Sequence, residues 1–253
     1  MTEVVKSVSE WRKIRKNLSE NDIGFVPTMG ALHQGHISLL QRCKNDNRVT
    51  VASVFVNSTQ FNDPEDFKKY PRDFERDLKM LRQAGVDYVF HPDHEEIYAD
   101  EYRYMVSEKE FSTKLCGAYR PGHFDGVLTV VMKLFNIIRP ARAYFGEKDY
   151  QQLILIRDMV SNFFMNIDIV GSSIIRESDG LAMSSRNQLL SAEERKKAPV
   201  FYKTLNSGKS VSEIINELEK SDFKVDYIEE HFGRIFGAVF LGKTRLIDNA
   251  PRN

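Results

Sequence analysis

The chain has 253 residues, enough for one large or two modest domains with a real hydrophobic core. Lysine plus arginine and aspartate plus glutamate both number 36, so the net charge is zero, which argues against a surface built for nucleic acid. The two cysteines, Cys43 and Cys116, stand in no metal-ligand spacing and no disulfide-rich setting, and no signal core or membrane span is visible, so a reducing, cytoplasmic setting is expected.

Ser7 and Glu10 form a capping box ahead of Trp11, Ile14 and Leu18, so the chain is read as opening with an amphipathic helix. Residues 23–26 are an apolar strand that breaks at Pro27 and Gly30; from Ile37 the apolar residues take helical spacing through Leu39, Leu40 and Cys43. His33 and His36 fall where this turn becomes the helix, at an offset that puts them on one helical face. Gly30 suits a turn conformation that a side chain would resist, and Gly35 lets a ligand approach the backbone. A helix start after a buried strand offers N–H groups and the positive end of the dipole to a phosphate, and imidazoles there add donors. The bland alternative is one histidine capping the turn and the other lying on the surface.

Residues 49–56, VTVASVFV, read as a strand buried on both faces of a parallel sheet, which completes a right-handed βαβ unit. At its exit stand Asn57, Ser58, Thr59 and Gln60; two amides suit a carboxylate or hydroxyl substrate, and ordinary turn chemistry explains them equally well. A helix over 73–84 turns Phe74, Leu78 and Leu81 inward and stops at Gly85, and a strand follows over 86–90. Residues 93–125 are polar and irregular, with Arg120-Pro121-Gly122-His123-Phe124 as the most distinctive run, and read as a lid or binding loop.

An apolar helix over 126–138 closes at Pro140, and a short strand over 143–145 delivers Gly146, Glu147, Lys148 and Asp149 to a second helix, over 153–163. Lys148 there reaches phosphate oxygens and Asp149 a ribose hydroxyl or metal ion, or the two are a plain surface ion pair. After a strand at 167–170, the run from Ile175 through Met183, Ser184, Ser185 and Arg186 suits transient contact with a triphosphate; a flexible interdomain linker is equally consistent. Beyond a second capping box, Ser191 with Glu194, a helix runs to about Leu205, another covers 211–218, and short strands lie at 225–228, 235–241 and 245–247. The polar segments each follow an apolar strand, and in open parallel sheets ligands bind beyond the carboxyl ends of the strands.

The segments PTMGALHQGH, FVNSTQF, RPGHF, GEKDYQQ and RESDGLAMSSRN, in this order, resemble the pantothenate synthetase (pantoate-β-alanine ligase) family of the HxGH nucleotidyltransferase superfamily. The resemblance implies an α/β fold: a Rossmann-like parallel sheet with helices on both faces over 1–175, binding ATP and pantoate, and a small α+β lid domain over 176–253. It also implies a homodimer, ATP with Mg²⁺ held mainly by the phosphates, and a two-step reaction through pantoyl adenylate to which β-alanine is then joined. By motif position, Met29, Gly30, Ala31, Leu32, His33, Gln34, Gly35 and His36 would line the ATP site. Gly146, Glu147, Lys148, Asp149, Ile175, Met183, Ser184, Ser185 and Arg186 would complete it. His36, His33, Lys148 and Arg186 would be the catalytic set; Gln60 and Gln152, supported by Asn57, would grip pantoate, and Gln60 would also meet β-alanine. Ser58 stands where the family usually has proline, Cys116 where it has an acidic residue, and the C-terminal domain is short. A nucleotidyltransferase that leaves the nucleotide on its product explains the histidines but not Asn57, Gln60 and Gln152. A non-catalytic nucleotide sensor needs no second polar pocket at all.

Overall fold

The computed structural model describes residues 2–19 and 21–252. The chain divides into two compact units, Met1–Gly146 with Gln151–Ser172, and Glu147–Tyr150 with Ser173–Asn253.

The first unit is built on a six-stranded sheet, and every pairing in it is parallel. In chain order the elements are β1 (Glu3–Val5), α1 (Val8–Arg15), β2 (Ile23–Thr28), α2 (Gln34–Asp46), β3 (Val49–Val54), α3 (Pro64–Lys69), α4 (Phe74–Gln83) and β4 (Tyr88–Phe90). They continue with α5 (His94–Ile97), α6 (Cys116–Tyr119), α7 (His123–Ile138), β5 (Arg142–Gly146), α8 (Tyr150–Asn162) and β6 (Asp168–Ser172). The spatial order β1-β4-β3-β2-β5-β6 makes β2 central: the chain runs outward through β3 to β4 on one side and through β5 to β6 on the other. The strand order therefore reverses between β2 and β5, and the crevice beyond the carboxyl ends at that point is where such sheets receive ligands.

Alternation along β2 assigns the two layers. Val26 joins Leu39, Leu40 and Cys43 of α2 and Leu78 and Leu81 of α4 in one core cluster. Phe25, on the opposite pleat, meets Phe135 of α7 edge to face at 6.4 Å. The helices thus cover both faces, as the doubly apolar strands require. Cys43 lies fully inside the first cluster, where burial pushes its thiol up to about 12, so it behaves as a small hydrophobe.

Several local readings are corrected. The chain opens with β1, not a helix; three residues on the edge of a sheet are too few to show a period. Strand β2 continues through Pro27 to Thr28. Odd positions of β2 face β5, since Ile23 O accepts from Ala141 N, and pairing with β5 is over after Phe25, so the missing N–H of Pro27 costs no ladder bond. The irregular stretch at 93–125 contains α5 and α6, and α7 begins at His123, ahead of the expected Gly126.

Lys133, the charge that interrupts an apolar run, reaches out of α7 to the carbonyl of Ile97 at 3.0 Å, to Asp100 and to the face of the Tyr98 ring, 4.6 Å from its centroid. It ties α7 to the chain that carries Tyr98.

The second unit holds α9 (Ala192–Lys197), α10 (Pro199–Leu205), α11 (Val211–Lys220) and an antiparallel sheet β7-β8-β9 of Phe223–His231, Arg234–Leu241 and Thr244–Pro251. The single helix expected up to Leu205 is two, because Pro199 cannot continue the α9 hydrogen-bond ladder and instead opens α10. Phe201, Leu205, Ile214, Leu218, Ile235 and Val239 form its core.

The Lys133 hydrogen bond, helped by the Tyr104 N–H, holds the Asp100 carboxyl down at about 2. A depressed folded pKa stabilises the protein above the ordinary carboxylate range, and this contribution is lost as pH falls through the folded value. Carbon-13 NMR should show Asp100 titrating near 2, and Lys133→Met should return it to the ordinary range; an ordinary midpoint in the unmodified protein would exclude the pairing.

Candidate active site

The site starts from the end of β2. Gly30 and Ala31 both have positive φ, 79° and 51°, and for Ala31 that backbone costs about 1–2 kcal/mol. Asp77 of α4, 2% exposed, offsets it: Oδ2 accepts the Ala31 N–H and Oδ1 the Leu32 N–H, each at 2.8 Å. A Cβ at Gly30 would lie 2.7 Å from Asp77 Oδ2, so only glycine leaves room for this carboxylate. Asp77 escaped the sequence reading, although its signal was there: it shares the inward face of α4 with Phe74, Leu78 and Leu81.

The loop runs directly into α2, whose N-cap is His33. His33 Nδ1 accepts the Gly35 N–H at 3.1 Å, and His36 Nδ1 accepts the His33 N–H at 3.3 Å, a reciprocal cap made by two imidazoles whose centroids lie 4.1 Å apart. A backbone N–H can only donate, so each Nδ1 must carry a lone pair and each neutral ring its proton on Nε2. Two Nε2–H donors at the start of a 13-residue helix, beside the switch point of the sheet, suit an anionic ligand.

Beyond β3, residues Ser58–Gln60 form a 3₁₀ turn. Asn57, 1% exposed, commits its whole amide: Oδ1 accepts from Tyr98 Oη at 2.8 Å and Thr59 Oγ1 at 2.9 Å, while Nδ2 donates to Gln60 Oε1 at 3.0 Å and Gly126 O at 3.1 Å. Because Gln60 Oε1 is an acceptor here, Gln60 Nε2 is the donor end of its half-buried side chain. Tyr98, buried enough that its hydroxyl is pushed up to about 12, stays a donor at neutral pH; it sits in a stretch without periodicity, so nothing local marked it. Gln152 is half-buried on α8, whereas its neighbour Gln151 is buried and bonds to Cys116 N, Phe111 O and Lys114 O. The adjacent glutamines thus differ in kind, and Cys116 meets Gln151 through its backbone N–H.

In the second unit, the turn Glu147–Asp149 after Gly146 is held by Asn249 of β9. Asn249, 1% exposed, donates from Nδ2 to Glu147 O at 2.9 Å and Lys148 O at 3.0 Å, and its Oδ1 accepts from Arg234 at 2.8 Å. Lys148 Nζ lies 3.8 Å from Asp149 Oδ2, a loose pair in which the lysine side chain is 20% exposed and the aspartate 47%. The stretch 175–187 is folded back on itself: Met183 N donates to Ile175 O at 3.0 Å, Ser184 Oγ accepts from Arg186 N at 3.2 Å, and Asn187 Nδ2 donates to Glu177 and Ala182 O. Arg176, stacked 3.4 Å over Tyr202, forms a two-pronged pair with the buried Asp248 at 2.6 and 3.0 Å.

Among the described residues, no three His, Cys, Asp or Glu side chains converge as a metal site, and no helix is long and apolar enough to cross a membrane.

An all-parallel sheet whose switch point adjoins a histidine-capped helix defines an α/β protein built to receive a phosphate-bearing ligand. The sequence profile of the family described as Pantoate-beta-alanine ligase matches residues 3–251. The chain is 53% identical to a pantothenate synthetase of Bdellovibrio bacteriovorus, over 98% of this chain and 99% of that one, and 50% identical to one of Legionella pneumophila, over 98% of each. Its fold is similar to the crystal structure of the pantoate-β-alanine ligase of Francisella tularensis, complexed with β-γ ATP and β-alanine, at TM-score 0.95 and 40% identity, covering 99% and 98% of the two chains. A pantothenate synthetase structure from Thermus thermophilus gives 0.89 at 43% identity, covering 98% and 99%. The chain belongs to the pantoate-β-alanine ligase family. Its C-terminal region, short by the sequence resemblance, is matched nearly end to end by these relatives.

Asp77→Asn keeps one acceptor but turns an NH₂ toward the second backbone N–H. Losing a charge-assisted hydrogen bond of this kind should lower kcat by about 10- to 100-fold, with the circular dichroism spectrum retained. Full kcat in a folded Asp77→Asn enzyme would remove Asp77 from any role at the site.

Proposed function

We propose that the chain catalyses the ATP-dependent condensation of (R)-pantoate with β-alanine to pantothenate, AMP and pyrophosphate. The observation that carries this reading is the reciprocal imidazole cap, which fixes two Nε2–H donors at the start of α2. Family membership supplies the substrates. In the first step a pantoate carboxylate oxygen attacks the α-phosphorus of ATP; the bond to the bridging oxygen breaks and pyrophosphate leaves. In the second the amine of β-alanine attacks the acyl carbon, the acyl–oxygen bond breaks, and AMP leaves with its electron pair while the amine loses a proton.

Such chemistry asks the protein for positioning and for charge stabilisation. His33 and His36 donate to phosphate oxygens, the backbone of Met29 to Leu32 follows the nucleotide, and Lys148 and Arg186 neutralise charge on the departing pyrophosphate. Ile175, Met183, Ser184 and Ser185 complete nucleotide binding, with Gly146, Glu147 and Asp149 on the preceding turn. Gln60 Nε2 and Gln152 bind pantoate, Gln60 also meets β-alanine, and Asn57 acts by orienting Gln60. Hard oxygen donors fit Mg²⁺, which phosphate oxygens would hold, with Asp149 as a candidate protein carboxylate. When bound, the ion supplies charge neutralisation on the phosphates. Family membership also supports a cytoplasmic homodimer, and the balanced charge supports small-molecule partners over nucleic acid.

The test is pantoate-dependent exchange of labelled pyrophosphate into ATP without β-alanine, then AMP release once β-alanine is added. Exchange that needs pantoate, and AMP turnover that needs β-alanine, are expected; ATP binding without exchange would leave a nucleotide site with a different second substrate. His36→Ala and Lys148→Ala should each slow turnover by about 100- to 1000-fold, the scale of one transition-state donor, and near-normal turnover in both would overturn these roles.

A further inference from the structure

The RPGHF run has no role in the reaction as derived so far, yet two of its side chains, Arg120 and His123, meet at one atom, the main-chain oxygen of Gln60. That oxygen lies 2.8 Å from His123 Nδ1 and accepts from Arg120 Nη2 at 3.2 Å. Arg120 Nη1 lies 3.0 Å from His123 Nε2. Arginine has donors only, so Nε2 must accept, the imidazole must be neutral, and its one proton must sit on Nδ1, aimed at Gln60. The three contacts are consistent with one tautomer alone, and Arg120 selects it.

From the opposite side the same residue is fixed by Asn57, which takes Gln60 Oε1, and by the approach of α7: a Cβ on Gly126 would stand 2.5 Å from Thr59 O and 2.7 Å from Gln60 N. His123 and Gly126 both belong to the first turns of α7, so one helix delivers both restraints. With the main-chain oxygen and the side-chain oxygen both engaged, the direction of the Nε2–H donors follows.

We propose that Arg120 and His123 are a positioning pair for substrate selection: acting through the Gln60 carbonyl, they set where Gln60 presents its amide N–H groups to the hydroxy-acid substrate. The proposal rests on the reading of Gln60 as a pantoate-binding residue. It separates from a merely structural role because Asn and Gln mimic different nitrogens of histidine. The Nδ2 of an asparagine reaches the place of Nδ1, whereas a glutamine amide reaches the place of Nε2 and takes from the Gln60 oxygen the shorter of its two contacts, leaving that of Arg120.

Steady-state kinetics on the whole enzyme decides it, with KM for pantoate and KM for ATP measured separately. His123→Gln and His123→Ala should raise KM for pantoate by about 10-fold, the scale of one neutral hydrogen bond, with KM for ATP unchanged. His123→Asn should recover most of that loss. Arg120→Met, which frees the tautomer without removing the ring, should raise KM for pantoate in the same selective way and covers the case in which His123→Ala does not fold. Equal losses for Asn and Gln, a parallel rise in both KM values, or an unchanged KM for pantoate in folded Arg120 and His123 variants would each overturn the proposal. Gln60→Ala separates the two levels. If it raises KM for pantoate while the His123 variants do not, only the positioning pair fails; if it does not, the role of Gln60 fails and the pair falls with it.

Discussion

A helix start leaves N–H groups without intrahelical partners, and in most helices a serine, threonine or aspartate takes them up. Here the first turn of α2 gives two of them to imidazole nitrogens, and the turn before it gives two more to one buried carboxylate. Nearly everything else at this end of the sheet depends on that allocation. It decides which ring nitrogen keeps a proton, it permits a left-handed alanine, and it requires a glycine where α4 presses closest. Fold and chemistry share the same atoms, so the histidines serve as structural caps as well as donors.

The parts of the fold that came from local pattern were legible in the sequence. The apolar runs at β2 and β3, the periodicity of α2, α4 and α7, the N-cap at Ser7 and the capping box at Ser191 each follow from a few neighbouring residues, although Glu10 accepts from Lys6 N and so does not close the box expected at Ser7. So did the placing of His33 and His36 together at a helix start. What was not legible is long-range. Asn249 lies about a hundred positions from the carbonyls it holds, and Tyr98 about forty from Asn57, and no periodicity links either pair. Pro27 misled in the other direction, because proline is a breaker only where its N–H would have been used. Gln151 and Gln152 show the limit at its finest: adjacent identical side chains on one helix, one buried in a loop clamp and one half-buried, distinguished only once the loop's carbonyls have positions.

The polar residues fall into two kinds. Asp77, Asn57, Gln151 and Asn249 are almost wholly buried and spend their hydrogen bonds on backbone groups or on other side chains. Gln60, Gln152, Lys148 and Asp149 are only half-buried. Buried polar groups are costly unless saturated, so the first kind rigidifies what the second presents.

The division of the chain carries its own consequence. It passes between the two units after Gly146, after Tyr150 and again after Ser172, and the four residues stranded in the middle include those whose carbonyls Asn249 holds. The C-terminal unit is therefore not a detachable module. Excised from residue 173 onward, it would lose an internal piece of its own packing and leave a buried amide with donors and nothing to receive them. Swapping that unit between relatives requires transplanting a short segment from the heart of the other one as well.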